Sequence, residues 1–189
     1  MVQKDRERLV RAGIPTLFLQ QRPEGLVIPG KVLAWRKSFI SSFTGAESVF
    51  VHGSHGVGKS YLAASILGRL MIDGKVRRGK FVSVPELLLY IRQTFDLESE
   101  VREIDQLNKF RNADFLVLDD LGGEKQSEWV SDILYLIIDH RYGAQKGLLV
   151  TSNYSLGKLV NRVGERICSR LDEMCFEVRF GGEDRRRYG

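Results

Sequence analysis

The chain has 189 residues, 43% hydrophobic and 28% charged, with 29 Lys and Arg against 24 Asp and Glu and a formal charge of +5. That length and apolar content suit one domain with a core that needs no disulfide staples, and the modest basic excess favours polyanionic partners only weakly. Cys168 and Cys175 show neither metal-ligand spacing nor a disulfide framework, no apolar run approaches bilayer-spanning length, and the opening MVQKDRERLVRAG lacks the apolar stretch of a signal peptide, so a soluble, cytoplasmic protein with no membrane partner is expected.

Residues 1–48 read as a short helical N-terminal segment and connector. A charged helical opening leads into a Pro- and Gly-containing stretch from Gly13 to Gly30. A second helix follows, with Val32, Leu33, Trp35, Phe39, Ile40 and Phe43 on one face, which should pack on the main body. The apolar run Val49-Phe50-Val51 then reads as a strand, and Leu62, Ala63, Ile66, Leu67 and Leu70 recur with helical spacing.

Between them lies GSHGVGKS, Gly53-Ser54-His55-Gly56-Val57-Gly58-Lys59-Ser60, a full match to the phosphate-loop pattern G-x-x-x-x-G-K-[ST] in its required strand-to-helix setting. Glycines at 53, 56 and 58 permit turns whose N–H groups converge on phosphate oxygens at a helix start that carries about half a positive charge. Lys59 would reach the outer phosphates and the Ser60 hydroxyl would join an Mg²⁺ shell. The stretch through Tyr61 is therefore assigned to nucleoside triphosphate binding. His52 and His55 flank the loop with no third ligand nearby, so they read as strand end and loop filler, and phosphate-bound Mg²⁺ is the metal inferred.

Farther along, Phe81 to Val84 reads as a second strand, and Pro85 suits the first turn of a helix that carries Leu87, Leu88, Ile91 and Phe95 inward and Tyr90, Arg92 and Gln93 outward. A polar stretch runs on through Lys109 and Arg111. Phe115 to Leu118 is apolar on both faces, as a central parallel strand should be, and ends in Asp119-Asp120. A helix spans Ser127 to about His140, Leu148 to Val150 forms a fourth strand ending in Thr151-Ser152-Asn153, and Phe176 to Phe180 forms a fifth. Strands alternating with helices imply a five-stranded parallel α/β sheet with right-handed crossovers.

Ligands of such sheets gather at the carboxyl ends of the strands, where the phosphate loop, the acid pair and Asn153 would meet. Asp119 would hold Mg²⁺ through water and Asp120 would orient or deprotonate an attacking water, with Glu124 in reserve as base. The Asn153 amide can hold that water or the γ-phosphate. Arg162, Arg166 and Arg170 recur every four residues beside the apolar series Leu159, Val163, Ile167 and Leu171. Gly164 disfavours an unbroken helix by about 1 kcal/mol, which leaves Arg166 and Arg170 as the candidates to reach a neighbouring subunit's nucleotide.

The ordered set GIPTLF, GSHGVGKS, FLVLDDLGGEK, IIDHRYGAQKGLLVTSNYS, GERICSRL and GGEDRRR resembles AAA+ ATPases of the DnaC/DnaI helicase-loader type across nearly the whole chain. The resemblance implies a P-loop AAA+ fold of the ASCE type over residues 49–189, with Lys59 and Ser60 as the Walker A pair and Asp119 and Asp120 as the Walker B pair. Asn153 becomes sensor 1, and Arg170 the arginine finger with Arg166 second. It further implies ATP hydrolysis with Mg²⁺, self-association through the trans arginine, a single-stranded-DNA element over residues 85–112 and action on a replicative helicase. Two departures are expected: little room before the phosphate loop for a helicase-gripping domain, and no C-terminal helical lid, with Arg185 to Arg187 read as a basic tail.

Other readings share these residues. A transposition helper of the IstB type would use the same core on a transposase. A weakly hydrolysing ATP-dependent DNA-binding adaptor is suggested by Asp120 standing where many relatives carry Glu. A small-molecule kinase is compatible with the loop, but Asn153 and the arginine row argue against it.

Overall fold

The computed structural model describes residues 3–20, 28–95 and 100–181. Three helices, α1 (Gln3–Arg11), α2 (Thr16–Gln20) and α3 (Gly30–Ser42), precede β1 (Ser48–His52) and α4 (Lys59–Ile72). The chain continues through β2 (Gly79–Ser83), α5 (Val84–Phe95), α6 (Glu100–Arg111) and β3 (Phe115–Leu121). It then runs through α7 (Glu128–Gly143), β4 (Gly147–Ser152), α8 (Leu156–Val163), α9 (Glu165–Met174) and β5 (Cys175–Arg179). All five strands pair in parallel in the order β2-β3-β4-β1-β5. The sheet expected from sequence is therefore present, in a P-loop arrangement with helices on both faces.

Alternating side chains feed two cores. Val49, Val51, Phe115, Val117 and Leu149 pack beneath α3 and α4, while Phe50, Leu116, Leu118, Leu148 and Val150 pack beneath α5, α7, α8 and α9. Strands sandwiched in this way lose their polar face, which is why the central ones read as unbroken apolar runs. Leu9, Ala12 and Ile14 of the N-terminal segment, with Val32, Phe39, Ile40 and Phe43 around α3, join the first core, so the opening helices pack on the main body.

The structure departs from the sequence expectations in definite places. The Gly13 to Gly30 stretch contains α2, which begins just after Pro15, whose carbonyl accepts the Phe18 N–H. β2 begins earlier, at Gly79, and it ends at Ser83, with Val84 in α5, because Ser83 and Glu86 close a capping box: the Ser83 N–H donates to the Glu86 carboxylate and the Glu86 N–H returns to the Ser83 hydroxyl, both at 3.4 Å. The polar stretch before Arg111 forms α6, and β3 continues past the acid pair to Leu121. Gly164, at φ 91°, splits α8 from α9 as its low helix propensity suggested. Arg185 to Arg187 lie outside the described residues. Among those described, no helix follows β5 and no helix is long and apolar enough to cross a membrane.

Arg141 near the end of α7 is fully buried. Its guanidinium donates to the carbonyls of Phe110, Arg111 and Ala113 at 3.0, 3.1 and 2.9 Å, and to Gly147. Burial lowers its pKa to about 10, against a smaller opposing pull from Asp114. One side chain thus ties the end of α6 and the start of β3 to the start of β4.

Candidate active site

The carboxyl ends of β1, β3 and β4 and the start of α4 enclose a cavity of about 440 Å³. Its lining includes His55, Gly56, Gly58, Lys59, Ser60, Tyr61, Asp119, Asp120, Thr151 and Asn153, with Leu17 and Phe18 of α2 on one side. Such a volume suits a nucleotide-sized ligand. Gly58 caps α4 in the left-handed region, φ 103°, and no side chain caps that helix end, which leaves the first-turn amides and the positive end of the helix dipole to an anion. Gly53 is required for another reason: a Cβ there would collide with the Phe180 carbonyl, where the end of β5 crosses the loop.

Inside the cavity the functional groups form one connected network. Lys59, only 7% exposed, donates from Nζ to the carbonyls of Gly53 and Ser54 at 2.9 and 2.8 Å and to Asn153 Oδ1 at 2.7 Å. Asn153 Nδ2 donates in turn to Asp120 Oδ1 at 2.7 Å. The phosphate loop on β1 and the acid pair on β3 are therefore joined through the residue just after β4.

A bulge sets the acid pair. Leu118 pairs with Val150 and Leu121 with Ser152, so two residues of β3, Asp119 and Asp120, stand opposite Thr151 alone. Asp120 takes a left-handed backbone, φ 62°, uncommon for a side chain other than glycine, and bulges of this kind re-aim side chains beside active sites. Thr151 stabilises the arrangement: its hydroxyl donates to Asp119 Oδ1 at 2.6 Å and accepts the Asp120 N–H at 2.9 Å. The result is one acid turned inward and one turned outward.

Asp119 is 9% exposed. Burial pushes its carboxyl above the ordinary range, with hydrogen bonds from Thr151 and Ser60 and the charge of Lys59 opposing and Asp120 adding to the rise. A hydroxyl and a carboxylate held together are hard oxygen donors suited to Mg²⁺ that keeps water and phosphate in its remaining positions. Asp120 is exposed to the cavity. Glu124 does not line it; its carboxylate accepts the Gly122 N–H at 2.9 Å and, chiefly through burial, sits above its ordinary pKa, a turn-holding position.

The remaining sequence candidates divide. Val57 is wholly buried in the core and supports the loop, and Gly53 and Ser54 contribute carbonyls to Lys59. His52 closes β1 and pairs with Glu177 of β5 at 3.2 Å. Arg166 and Arg170 line a different cavity with Tyr135, Glu165 and Ser169. Arg170 donates to Asp139 at 2.9 Å and lies over the Tyr142 ring, while Arg166 lies over Tyr135 at 3.9 Å. Arg162 folds onto Tyr154, donating to its hydroxyl at 3.0 Å.

Thr151, Leu17 and Phe18 were not singled out as site residues from sequence. Thr151 was visible only as the residue two before Asn153, and a bulge leaves no periodic trace. Phe18 sets its ring edge-on to Tyr61 at 5.9 Å, giving the cavity an apolar wall. The signal for that wall was the GIPTLF segment.

Comparison with known proteins agrees with this architecture. The family described as IstB-like ATP binding protein matches residues 36–187. A replicative helicase loader DnaC from Buchnera aphidicola subsp. Baizongia pistaciae (strain Bp) is 29% identical over 168 residues, 86% of this chain and 68% of that protein. The DnaC loader of Escherichia coli (strain K12) is 27% identical over 140 residues, 74% of this chain and 56% of that protein. A crystal structure of the DnaC helicase loader superposes with a TM-score of 0.73 at 27% identity, over 93% of this chain and 99% of that one. The chain thus spans between about half and two thirds of the curated relatives' length.

Proposed function

The chain belongs to the IstB-like ATP binding protein family, and we propose that it is an ATPase that assists DNA replication, binding single-stranded DNA and acting on a replicative helicase as its relatives' names describe for them. The observation that carries the ATPase reading is the continuous chain of hydrogen bonds from Lys59 through Asn153 to Asp120. It connects a phosphate-binding cation to an exposed carboxylate across the cavity.

In this reading the loop amides and Lys59 take the β- and γ-phosphates, and Leu17, Phe18 and Tyr61 receive the base. Ser60 and Asp119 would hold Mg²⁺, which would supply charge neutralisation on the phosphates. Asp120 orients a water in line with the γ-phosphorus and accepts its proton on the carboxylate. Asn153 fixes that carboxylate and, once phosphate has claimed Lys59, can turn its carbonyl oxygen toward the same water. Arg170 or Arg166 acts on the nucleotide of an adjoining copy, which explains why both lie in a cavity separate from that of Lys59. Asp139 and Tyr142 hold Arg170 ready for it.

Steady-state phosphate release with and without single-stranded DNA tests the enzyme reading, and co-purification with a replicative helicase tests the partner. One competing reading is a helper of transposition of the IstB type, for which a transposase would replace the helicase in the co-purification. Asp120, shorter than Glu, favours a slow enzyme acting as an ATP-loaded adaptor; turnover that stays negligible with DNA present would select it.

A further inference from the structure

The two edges of the sheet differ. Along β2 the N-terminal segment covers the edge: the Phe81 N–H donates to the Ala12 carbonyl at 2.7 Å, and Gly13, at φ 90°, approaches the Phe81 carbonyl so closely that a Cβ would collide with it. At the other side, β1 is the only strand beside β5 among the described residues. The Phe180 N–H donates to the His52 carbonyl, and in a parallel ladder successive residues turn their backbone groups to alternate sides. Phe176, Val178 and Phe180 therefore face β1, while the N–H and C=O groups of Glu177 and Arg179 point away from the sheet. Among the described residues no hydrogen bond reaches those outward groups.

Exposure and sequence order both bear on this edge. Phe176 is 63% exposed, with Glu177 and Arg179 exposed beside it, and an unpaired edge that shows a large apolar side chain invites another strand. Charged side chains commonly keep edges apart. Here, however, Phe176-Glu177-Val178-Arg179-Phe180 reads the same in both directions with the charge reversed. Two such strands laid antiparallel with Val178 opposite Val178 set Glu177 opposite Arg179 and Phe176 opposite Phe180. That register also satisfies the backbone, because Glu177 and Arg179 carry the outward groups and directly opposed residues of an antiparallel pair exchange both bonds. Centring the pair on Glu177 instead would oppose like charges.

We propose that this edge pairs with the same edge of a second copy of the chain, antiparallel about a two-fold axis, joining two sheets into one. Glu177 Oε1 pairs with His52 at 3.2 Å, which holds the carboxylate in place and leaves Oε2 for Arg179 of the second copy. Arg179 makes no ion pair of its own among the described residues. Phe176 lies on the same face of the sheet as Val178 and Phe180, whose neighbours belong to the core beneath α4, so pairing would cover its exposed ring. A two-fold contact of this kind is self-complementary and differs from the head-to-tail contact that a trans arginine needs. It uses neither Lys59 nor Arg170 and does not rest on the ATPase reading.

Sedimentation velocity of the full chain without nucleotide, from micromolar concentration upward, tests the pairing. Wild type should form a dimer, and Glu177→Arg or Arg179→Glu alone should weaken it by about tenfold or more, because each opposes like charges on both sides of the axis. The double variant Glu177→Arg/Arg179→Glu restores opposite charges and should dimerise within about threefold of wild type. An equimolar mixture of the two single variants should form a heterodimer for the same reason. Amide exchange of the wild type gives a reading without substitution: the N–H groups of Glu177 and Arg179 should gain protection as protein concentration rises. A wild type that stays monomeric, or a dimer that both single variants leave intact, overturns the proposal. So do losses in folded single variants that neither the double variant nor the mixture repairs, or a dimer in which exchange at Glu177 and Arg179 is unchanged.

Discussion

Thr151→Val tests how the bulge serves the chemistry. Threonine and valine have nearly the same shape, and Thr151 is 1% exposed, so the change removes the hydroxyl while filling the space. Two bonds are lost: the 2.6 Å donation to Asp119 and the 2.9 Å acceptance from the Asp120 amide. A hydrogen bond to a charged partner contributes about 1.5–3 kcal/mol, and 1.4 kcal/mol corresponds to about tenfold in rate. If this alignment matters only once the attacking water is in place, kcat should fall by roughly 10- to 100-fold. KM for ATP should change by about twofold or less, because Lys59 and the loop amides are untouched. Thr151→Ser, which keeps the hydroxyl, should recover most of kcat. Steady-state phosphate release with binding of a fluorescent ATP analogue reads both quantities. Turnover of the valine variant within about twofold of wild type, or a loss of binding that matches the loss of turnover, would refute the positioning argument.

Lys59→Ala should abolish nucleotide binding, seen as loss of the thermal shift that Mg-ATP gives the wild type. Arg170→Ala should leave binding intact and lower turnover by about 10³-fold or more if it is the trans finger, in which case mixing it with Lys59→Ala protein restores activity from mixed neighbours. Asp119→Asn should raise the ligand-free melting temperature near neutral pH and weaken the Mg²⁺-dependent part of ATP binding. The sign follows from the raised carboxyl: the folded state keeps its proton where the unfolded chain, near its ordinary 3.8, has lost it. Stability of the apoprotein therefore declines as pH climbs from 3.8 through the raised value, and the asparagine variant escapes that decline. A melting temperature of the variant that tracks wild type across this range would show that burial of Asp119 costs nothing. Arg141→Met should lower stability by several kcal/mol in denaturant melts, since the carbonyls of Phe110, Arg111 and Ala113 lose their donor.

The sheet was legible because strands buried on both faces leave unbroken apolar runs, as at Val49 to Val51 and Phe115 to Leu118, and because Gly53 to Ser60 form a local motif whose geometry follows from spacing. Asp119, Asp120 and Asn153 could be placed near the loop because parallel strands deliver their carboxyl ends to one edge. What sequence could not show depends on contacts between distant segments. The charge of Arg141 is answered by carbonyls some 30 residues earlier. The bulge at Asp119-Asp120 exists only relative to β4. α2 is too short to show a period, and the carboxyl end of β2 is set by the Ser83–Glu86 box rather than by its apolar pattern. The arginine row was foreseen, yet the tyrosines beneath it come from α7 and from the turn after β4 and could not be paired with it from spacing.

The central claim is that the cavity over α4 binds a magnesium nucleoside triphosphate through Lys59. Isothermal titration of Mg-ATP into the purified chain measures this directly. The account predicts a saturable single-site isotherm that vanishes in Lys59→Ala protein of unchanged circular dichroism. A flat titration of folded wild-type chain, or an isotherm that Lys59→Ala leaves intact, would contradict it.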